Sequence, residues 1–287
     1  YYASHQNLHP FFKGVLNKIH RQLETDITYK SSAFYYHLFK IQRAVSSFDS
    51  LQPISEDHIN LQKTIFSLDL YYLISKLEYA CLWVNYHQTS QTQSLIEESL
   101  ILEISENKAY DEYPILKIYR FTLLILKGQF EAQNINEYIE LLKNHLHEFY
   151  PKDAKTLFTY AYNYLIININ QTTDEQMGNQ FRERLYELYI EVGLKQNILY
   201  VDDKLLPNDL KNIITLTLSL PEQGEWNRER KIRTASNLLQ QHEHLIWGTE
   251  QNAYYHYNLA HLQFYEQDYL LAIQTISTIE LSNINYV

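Results

Sequence analysis

The sequence contains little glycine and proline, and this shortage restricts the fold. Its 287 residues include 6 glycines and 6 prolines, whereas an average chain of this length holds roughly 35 of the two together. Sheet-rich folds and phosphate-binding loops use these residues in hairpin turns, bulges and close backbone approaches. The composition therefore disfavours such folds and predicts long helices joined by short polar turns.

The sequence also has one cysteine, no long apolar run and no excess of positive charge. The single cysteine, Cys81, excludes a disulfide framework and favours a reducing compartment, so we expect a cytoplasmic protein. The longest strongly apolar run, residues 121–126, is far shorter than the ~20 residues of a membrane span, and we expect no membrane partner. The net charge is −10 without a basic stripe, which disfavours nucleic acid as a partner.

The two ends of the sequence suggest a piece of a longer protein. The chain begins at Tyr1 without an initiator methionine, and it ends at Val287 within a helical pattern. We therefore expect further sequence outside it, and the lack of a signal peptide says little about location.

Apolar residues recur at helical spacing along almost the whole chain, as at Leu16, Ile19 and Leu23. The predicted helices fall into consecutive pairs with a loose period of roughly 40–50 residues, which is typical of stacked helical repeats. We predict an all-α, right-handed α-solenoid of about six antiparallel helix pairs, forming one domain over residues 1–287. The predicted pairs cover residues 7–48, 55–106, 113–149, 153–195, 207–245 and 251–281.

One segment does not fit the helical pattern. Residues 197–207 are predicted to be the longest linker, and Leu199, Tyr200 and Val201 within it favour a short strand. The sequence shows no second strand with which it could pair.

The last predicted pair, residues 251–281, resembles a tetratricopeptide repeat. Residues 258–260, Asn-Leu-Ala, match the segment in which a small residue lets two helices approach. Asp268 and Tyr269 match the turn, and Ala272 matches the small residue of the second helix. The sequence departs from the motif at Gln263, Gln267 and Ile279.

Residues from about 60 to 281 also resemble an uncharacterised group of tetratricopeptide-like proteins from Bacteroidota. The resemblance is carried by residues 71–81, 116–119, 160–164, 211–216 and the final repeat, whereas residues 1–55 are more divergent. It implies a cytoplasmic helical-repeat protein, and it implies no activity.

Patterns that would indicate catalysis or a cofactor are missing from the sequence. His145 and His147 are two residues apart, as are His242 and His244, so each pair points to opposite sides of a helix. There is no His-Glu-x-x-His, no Cys-x-x-Cys and no Gly-x-Ser-x-Gly motif. Cys81 is predicted to lie in the core. We therefore expect no enzyme, no metal and no cofactor.

Polar and tyrosine side chains inside the helices suggest a binding groove. Asn163, Asn212 and Asn258 each occupy the first helix of a pair, at intervals of roughly 46–49 residues. They either fix helix packing through backbone hydrogen bonds or line the concave face as a ladder that binds an extended peptide. Tyrosines near the last repeat either fill seams between repeats or face the same groove. The candidate residues are Lys117, Asn163, Asn212, Tyr254, Tyr257, Asn258, His261 and Tyr265.

The sequence thus predicts a non-catalytic scaffold that binds a protein or peptide in its concave face. The alternative is a structural or self-associating regulatory module of a longer chain, and an α/α-type helical enzyme is the less favoured third possibility. Chaperone-type tetratricopeptide domains bind a peptide carboxylate with Lys and Arg, whereas Tyr257 and His261 occupy such positions here. With the net charge of −10, this favours a neutral or basic, partly apolar ligand.

Overall fold

The computed structural model describes residues 9–49, 57–87, 98–224, 226–248 and 251–279. These residues form twelve α-helices, short 3₁₀ turns, one π-helical segment and a hairpin of two very short strands. The prediction of an all-α protein is confirmed for this part of the chain. Contacts between Cα atoms divide the chain into two compact units, residues 1–160 and 161–287, and each unit is described by itself below.

The first unit is built around two buried helices, α3 and α5. Leu73, Ile74 and Leu77 of α3 are fully or almost fully buried, as are Ile115 and Ile118 of α5. Helix α3 packs against both α2 and α5. The helices of this unit are α1 (His9–Asp26), α2 (Ser32–Asp49), α3 (Asp57–His87), α4 (Glu98–Ser105), α5 (Pro114–Leu126), α6 (Ile135–His145) and the start of α7 (Pro151–Gln171).

Local sequence signals define several helix ends in the first unit. Proline occupies the first position of α5 and of α7, where a missing N–H costs no hydrogen bond. Gly128 follows the C-terminal cap of α5, and its φ of 67° is the left-handed conformation common just after helix C-termini. Cys81 is buried, with its Sγ 3.5 Å from the carbonyl oxygen of Tyr119, so its predicted place in the core is confirmed.

The second unit contains the remaining helices. Side chains cap three of them: Asp174 accepts from the backbone N–H groups of residues 176 and 177, Asn227 from that of residue 230, and Asp268 from that of residue 271. The elements are the rest of α7, α8 (Glu175–Glu187), a π-helix (Leu188–Leu194), β1 (Tyr200–Val201), β2 (Lys204–Leu205), α9 (Pro207–Ser219), α10 (Arg228–His242), α11 (Gln251–Glu266) and α12 (Tyr269–Ser277).

The predicted linker at residues 197–207 is a structured hairpin instead. Tyr200 pairs with Leu205 and Val201 with Lys204, so the strand that lacked a partner finds one within the same segment. Asp202 and Asp203 form the turn with φ values of 48° and 59°, a conformation that aspartate tolerates better than most residues. The expectation of an unpaired strand was wrong because Asp-Asp is a weaker turn signal than Asn-Gly or Asp-Gly.

Candidate functional site

Side chains from α7, α8, the π-helix and α9 enclose a cleft of about 200 Å³ in the second unit. We call it the tyrosine cleft. Its floor is apolar, and its polar groups are two tyrosine hydroxyls, the hydroxyls of one threonine and one serine, one amide and one guanidinium. The residues that line it are Tyr162, Ile166, Ile169, Arg182, Leu185, Tyr189, Asn212, Thr215, Leu216 and Ser219.

The π-helix places Tyr189 in this cleft. Leu188–Leu194 continues α8 with a wider turn than an α-helix has, and such segments are rare and frequent at functional sites. The Tyr189 ring lies 5.6 Å from that of Tyr162 between centroids, in an edge-to-face arrangement. The added residue per turn therefore changes which side chains of this segment face α7 and α9.

A hydrogen-bond network fixes the polar groups of the tyrosine cleft. The Tyr189 hydroxyl is hydrogen-bonded to Tyr162 and to Asn212. Burial raises the pKa of Tyr189 well above its ordinary value, and the neighbouring Tyr162 and Asp209 raise it further, while the Asn212 hydrogen bond opposes them. Tyr189 consequently stays protonated at neutral pH and presents a neutral hydroxyl beside the Asn212 amide.

Two cations lie in or next to this site, and the carboxylate of Asp209 lies close enough to act on Tyr189. Arg182 lines the cleft, and its Nη1 donates to Asn179 Oδ1 at 2.9 Å, which leaves other guanidinium donors for a ligand. Lys211, next to Asn212 on α9, places its Nζ 5.1 Å from the centre of the Tyr257 ring. Within the described ranges, neither cation forms an ion pair with a carboxylate. An acidic group of a ligand would therefore have two cations available.

A second cleft, of about 320 Å³, lies between α11 and α12. We call it the hairpin cleft. Ala260 and Ala272 are its buried small residues, and large apolar side chains form its walls together with Tyr257 and His261. Burial lowers the pKa of His261, and the nearby Lys211 lowers it further, so this imidazole is neutral at pH 7. The walls are Tyr257, His261, Phe264, Tyr269, Ile273 and Ile276.

Three of the predicted groove residues come together around α9. Asn212 lines the tyrosine cleft, Tyr257 and His261 line the hairpin cleft, and Lys211 reaches from α9 to Tyr257. Adjacent residues of one helix thus connect the two clefts. Asn163 directly follows Tyr162 on α7, and its side chain is exposed.

The other predicted residues have different surroundings. Asn258 is fully buried and its Nδ2 donates to the Tyr254 carbonyl oxygen at 2.9 Å, so it is a packing residue and the proposed ladder of three accessible asparagines is corrected to two. Tyr265 faces α10, where the charged groups of Arg228 and Lys231 lie 5.8 and 5.6 Å from its ring centre. Lys117 belongs to the first unit and pairs with Glu137.

Three residues of the tyrosine cleft were not predicted from the sequence: Tyr162, Arg182 and Tyr189. Tyr162 follows Tyr160 by two positions, which indicated a different helix face but no cleft. Arg182 and Tyr189 are seven residues apart, and a π-helix has no composition that would distinguish it from the end of α8. Their convergence depends on packing between helices that are distant in sequence.

No protein-family model, curated protein or solved structure matches this chain. Its resemblance to tetratricopeptide repeats and to the Bacteroidota group therefore stays a prediction from the quoted residues. Across the described ranges, no helix has both the length and the apolar character needed to cross a bilayer. In the same residues, no group of three or more His, Cys, Asp or Glu side chains could hold a metal ion.

Proposed function

We propose that the protein is a non-catalytic scaffold that binds a peptide segment of another protein. The segment would lie in the tyrosine cleft and extend past Lys211 to Tyr257 and His261. The scaffold would be a tetratricopeptide-like solenoid of about six helix pairs. In the second unit, α9 packs on α10 and α11 on α12, while α9 also contacts α11, an order of contacts typical of stacked hairpins.

The observation that carries this proposal is the combination of ring faces, an amide and unpaired cations at one accessible surface. Tyr162 and the apolar floor suit an apolar or aromatic side chain. The Asn212 amide suits the backbone of an extended peptide, and Arg182 suits a carboxylate. This narrows the ligand to an apolar segment with an acidic side chain. It differs from the neutral or basic ligand expected from the net charge, because the charged side chain that lines the cleft, Arg182, is a cation.

A peptide selection tests the proposal directly. A random-peptide library displayed on phage is selected against the full chain, and the enriched peptides are synthesised for affinity measurements by fluorescence polarisation. We expect enriched sequences with an acidic residue next to an aromatic or large aliphatic one. Arg182→Gln and Asn212→Ala are each expected to weaken binding about tenfold or more. Asn237→Ala, the same substitution at an exposed position of α10, is the matched control.

Two results would overturn the proposed function. One is a selection in which no peptide is enriched more strongly on this chain than on an unrelated acidic protein. The other is a set of enriched peptides that bind wild type, Arg182→Gln and Asn212→Ala with equal affinity. Affinity that falls as salt is raised, and falls less in Arg182→Gln, would support the contribution of the guanidinium charge.

A further inference from the structure

Helix α3 is apolar on its exposed side as well as on its buried side. On the buried side, Leu70, Leu73 and Leu77 are almost fully enclosed. A helix that is apolar all round is normally buried all round. Seven large apolar or aromatic residues on the other side of α3 are nevertheless between 42% and 70% exposed. We call this row the α3 stripe, and it consists of Leu61, Ile65, Leu68, Tyr72, Tyr79, Leu82 and Tyr86.

The spacing of the α3 stripe indicates what kind of surface fits it. From Leu61 to Tyr86 its members are separated alternately by four and three residues, with Ser75 at the one remaining position of the series. This is the seven-residue repeat by which one helix packs along another. The stripe is about 37 Å long and covers only about 100° of the helix circumference. A second helix lying along α3 therefore matches it better than an extended segment or a flat surface.

The exposed area of the α3 stripe is close to that of a specific interface. Taking about 200 Å² for each large residue, the exposed fractions correspond to roughly 700 Å². The largest patch on a typical monomer is about 300–600 Å². A stable interface buries about 800 Å² on each partner, so a helix laid on the stripe and its borders would reach this size.

Cations lie beside the α3 stripe. Lys76 is exposed on α3, and its Nζ lies 5.7 Å from the centre of the Tyr72 ring, which belongs to the stripe. Lys40 is exposed on α2, and its Nζ lies 5.8 Å from the centre of the Tyr36 ring. That ring is 5.3 Å from the ring of Tyr71, the neighbour of Tyr72. The stripe thus has one cation on its own helix and another on the adjacent helix.

The carboxylates of these two helices do not balance the cations at the surface. Among residues 60–87, Asp69 is half-buried and hydrogen-bonded to Tyr110. Glu78 is half-buried and hydrogen-bonded to Ser32. Residues 32–47 of α2 contain no Asp or Glu. Because the charges that flank the apolar row of a helix pair determine which partner is chosen, the stripe favours a helix that carries carboxylates beside its own apolar row.

Two other occupants fit these charges less well. A second copy of the chain would present the same cations, and its described α2 and α3 side chains add no exposed carboxylate to face them. An anionic bilayer attracts lysine, but it repels a chain whose net charge is −10.

We propose that the α3 stripe binds an acidic amphipathic α-helix of another protein. The apolar row of that helix would pack on Ile65, Leu68 and Tyr72, and its carboxylates would lie near Lys76. This interaction is separate from the proposed peptide site, because no residue of the stripe lines the tyrosine cleft or the hairpin cleft. Each of the two proposals can therefore fail without the other.

Fluorescence polarisation with two labelled peptides, measured separately, tests the proposal on the full chain. Both peptides contain four heptads with Ile and Leu at the apolar positions, flanked by Glu in one peptide and by Lys in the other. We expect the wild type to bind the acidic peptide at least about tenfold more tightly than the basic one. Ile65→Glu should weaken binding of the acidic peptide about tenfold or more. Ile167→Glu, at a similarly exposed isoleucine of α7, is the matched control and should bind like the wild type.

Lys76→Glu tests the charge without changing the apolar row. It should reduce the preference for the acidic peptide at least about threefold. Lys155→Glu, at an exposed lysine of α7, is its matched control. Circular dichroism establishes that each variant is folded. The proposal is overturned if the wild type binds neither peptide or both equally, if Ile65→Glu binds like the wild type, or if Lys76→Glu leaves the preference unchanged.

Other occupants of the α3 stripe give different results, each of which would also overturn the proposal. A wild-type dimer in sedimentation equilibrium that Ile65→Glu dissociates, without peptide binding, would assign the stripe to a second copy. Cosedimentation with vesicles of phosphatidylcholine and phosphatidylserine that is lost in Ile65→Glu, again without peptide binding, would assign it to a lipid surface. Binding of the acidic peptide by Leu95→Glu/Ile96→Glu and not by the wild type would show that residues 88–97 cover the stripe.

Discussion

Thr122 Oγ1 and Tyr138 Oη lie 2.8 Å apart in the core of the first unit, and both side chains are fully buried. Thr122 Oγ1 is also 2.8 Å from the carbonyl oxygen of Ile118, which can only accept. The threonine hydroxyl has a single proton, and it is donated to that carbonyl. Tyr138 is therefore the donor to Thr122, and the hydroxyl of this large core residue is satisfied by one specific partner.

Tyr138→Phe is expected to destabilise the protein by about 1 kcal/mol, since it removes this hydrogen bond while the ring still fills the core. Thr122 keeps its bond to Ile118, so no buried donor is left without a partner. Urea denaturation followed by circular dichroism measures the change. Tyr79→Phe, at a tyrosine of α3 that is 64% exposed, is the control and should leave stability unchanged. Equal effects of the two substitutions on stability would contradict the assignment of a stabilising hydrogen bond from Tyr138 to Thr122.

Alanine substitutions at two glycines are expected to change the stability of the protein in opposite directions. Gly14 lies within α1, and an added Cβ would meet nothing within 4 Å, so Gly14→Ala should stabilise the protein by roughly 0.5–1 kcal/mol. Gly128 has equally open surroundings but a φ of 67° at the end of α5. Gly128→Ala should therefore destabilise by about 1 kcal/mol. Thermal denaturation of the two variants checks the signs, and stabilisation by both would show that the α5 terminus relaxes.

Glu78 is expected to lower stability at neutral pH. Burial raises the pKa of this carboxyl, the Ser32 hydrogen bond opposes that rise, and the charge of Asp153 adds to it. The folded state thus binds the proton more tightly than the unfolded state, whose carboxyl has a pKa of about 4.3. The resulting penalty is present above the raised pKa and disappears as the pH falls to the unfolded value.

Glu78→Gln should consequently increase the free energy of unfolding at pH 7 and have little effect near pH 4. Because Glu78 is only partly buried and solvent screens its charge, we expect a gain below about 1 kcal/mol. Chemical denaturation at several pH values gives the profile, with Glu103→Gln at an exposed position of α4 as the control. A gain that is the same at pH 4 and pH 7 would exclude the ionised carboxylate as its cause.

Much of the helical architecture could be predicted from the sequence because its signals are local. Pro114 and Pro151 begin helices and Asp174, Asn227 and Asp268 cap them, each through contacts within one turn. Apolar spacing indicated the helices themselves, and of the residues quoted for it Leu16 and Leu23 are buried whereas Ile19 is exposed.

The candidate site was only partly predictable because it depends on long-range packing. Asn212 and Asn258 occupy similar positions in the predicted helix pairs, yet the first lines a cleft and the second is buried. Their difference is set by neighbouring helices and not by their own sequence context. The π-helix that contains Tyr189 likewise carried no signal in the sequence that predicted it.

The charge of Lys211 is expected to determine how readily His261 accepts a proton. Burial and the Lys211 charge both lower the pKa of His261. Lys211→Met keeps the aliphatic contact with Tyr257 and removes the charge, so the pKa of His261 should rise while staying below its ordinary value of about 6.5. The folded state binds this proton less tightly than the unfolded state, so the stability of the protein falls as the pH drops below about 6.5. The Lys211→Met variant should lose less stability over this range.

The pKa of His261 is measured from its imidazole resonances by NMR. Lys195→Met removes an exposed charge elsewhere in the second unit and should leave it unchanged. An unchanged His261 pKa in Lys211→Met would mean that the ammonium does not face the hairpin cleft, which would remove one of the two cations assigned to the peptide site.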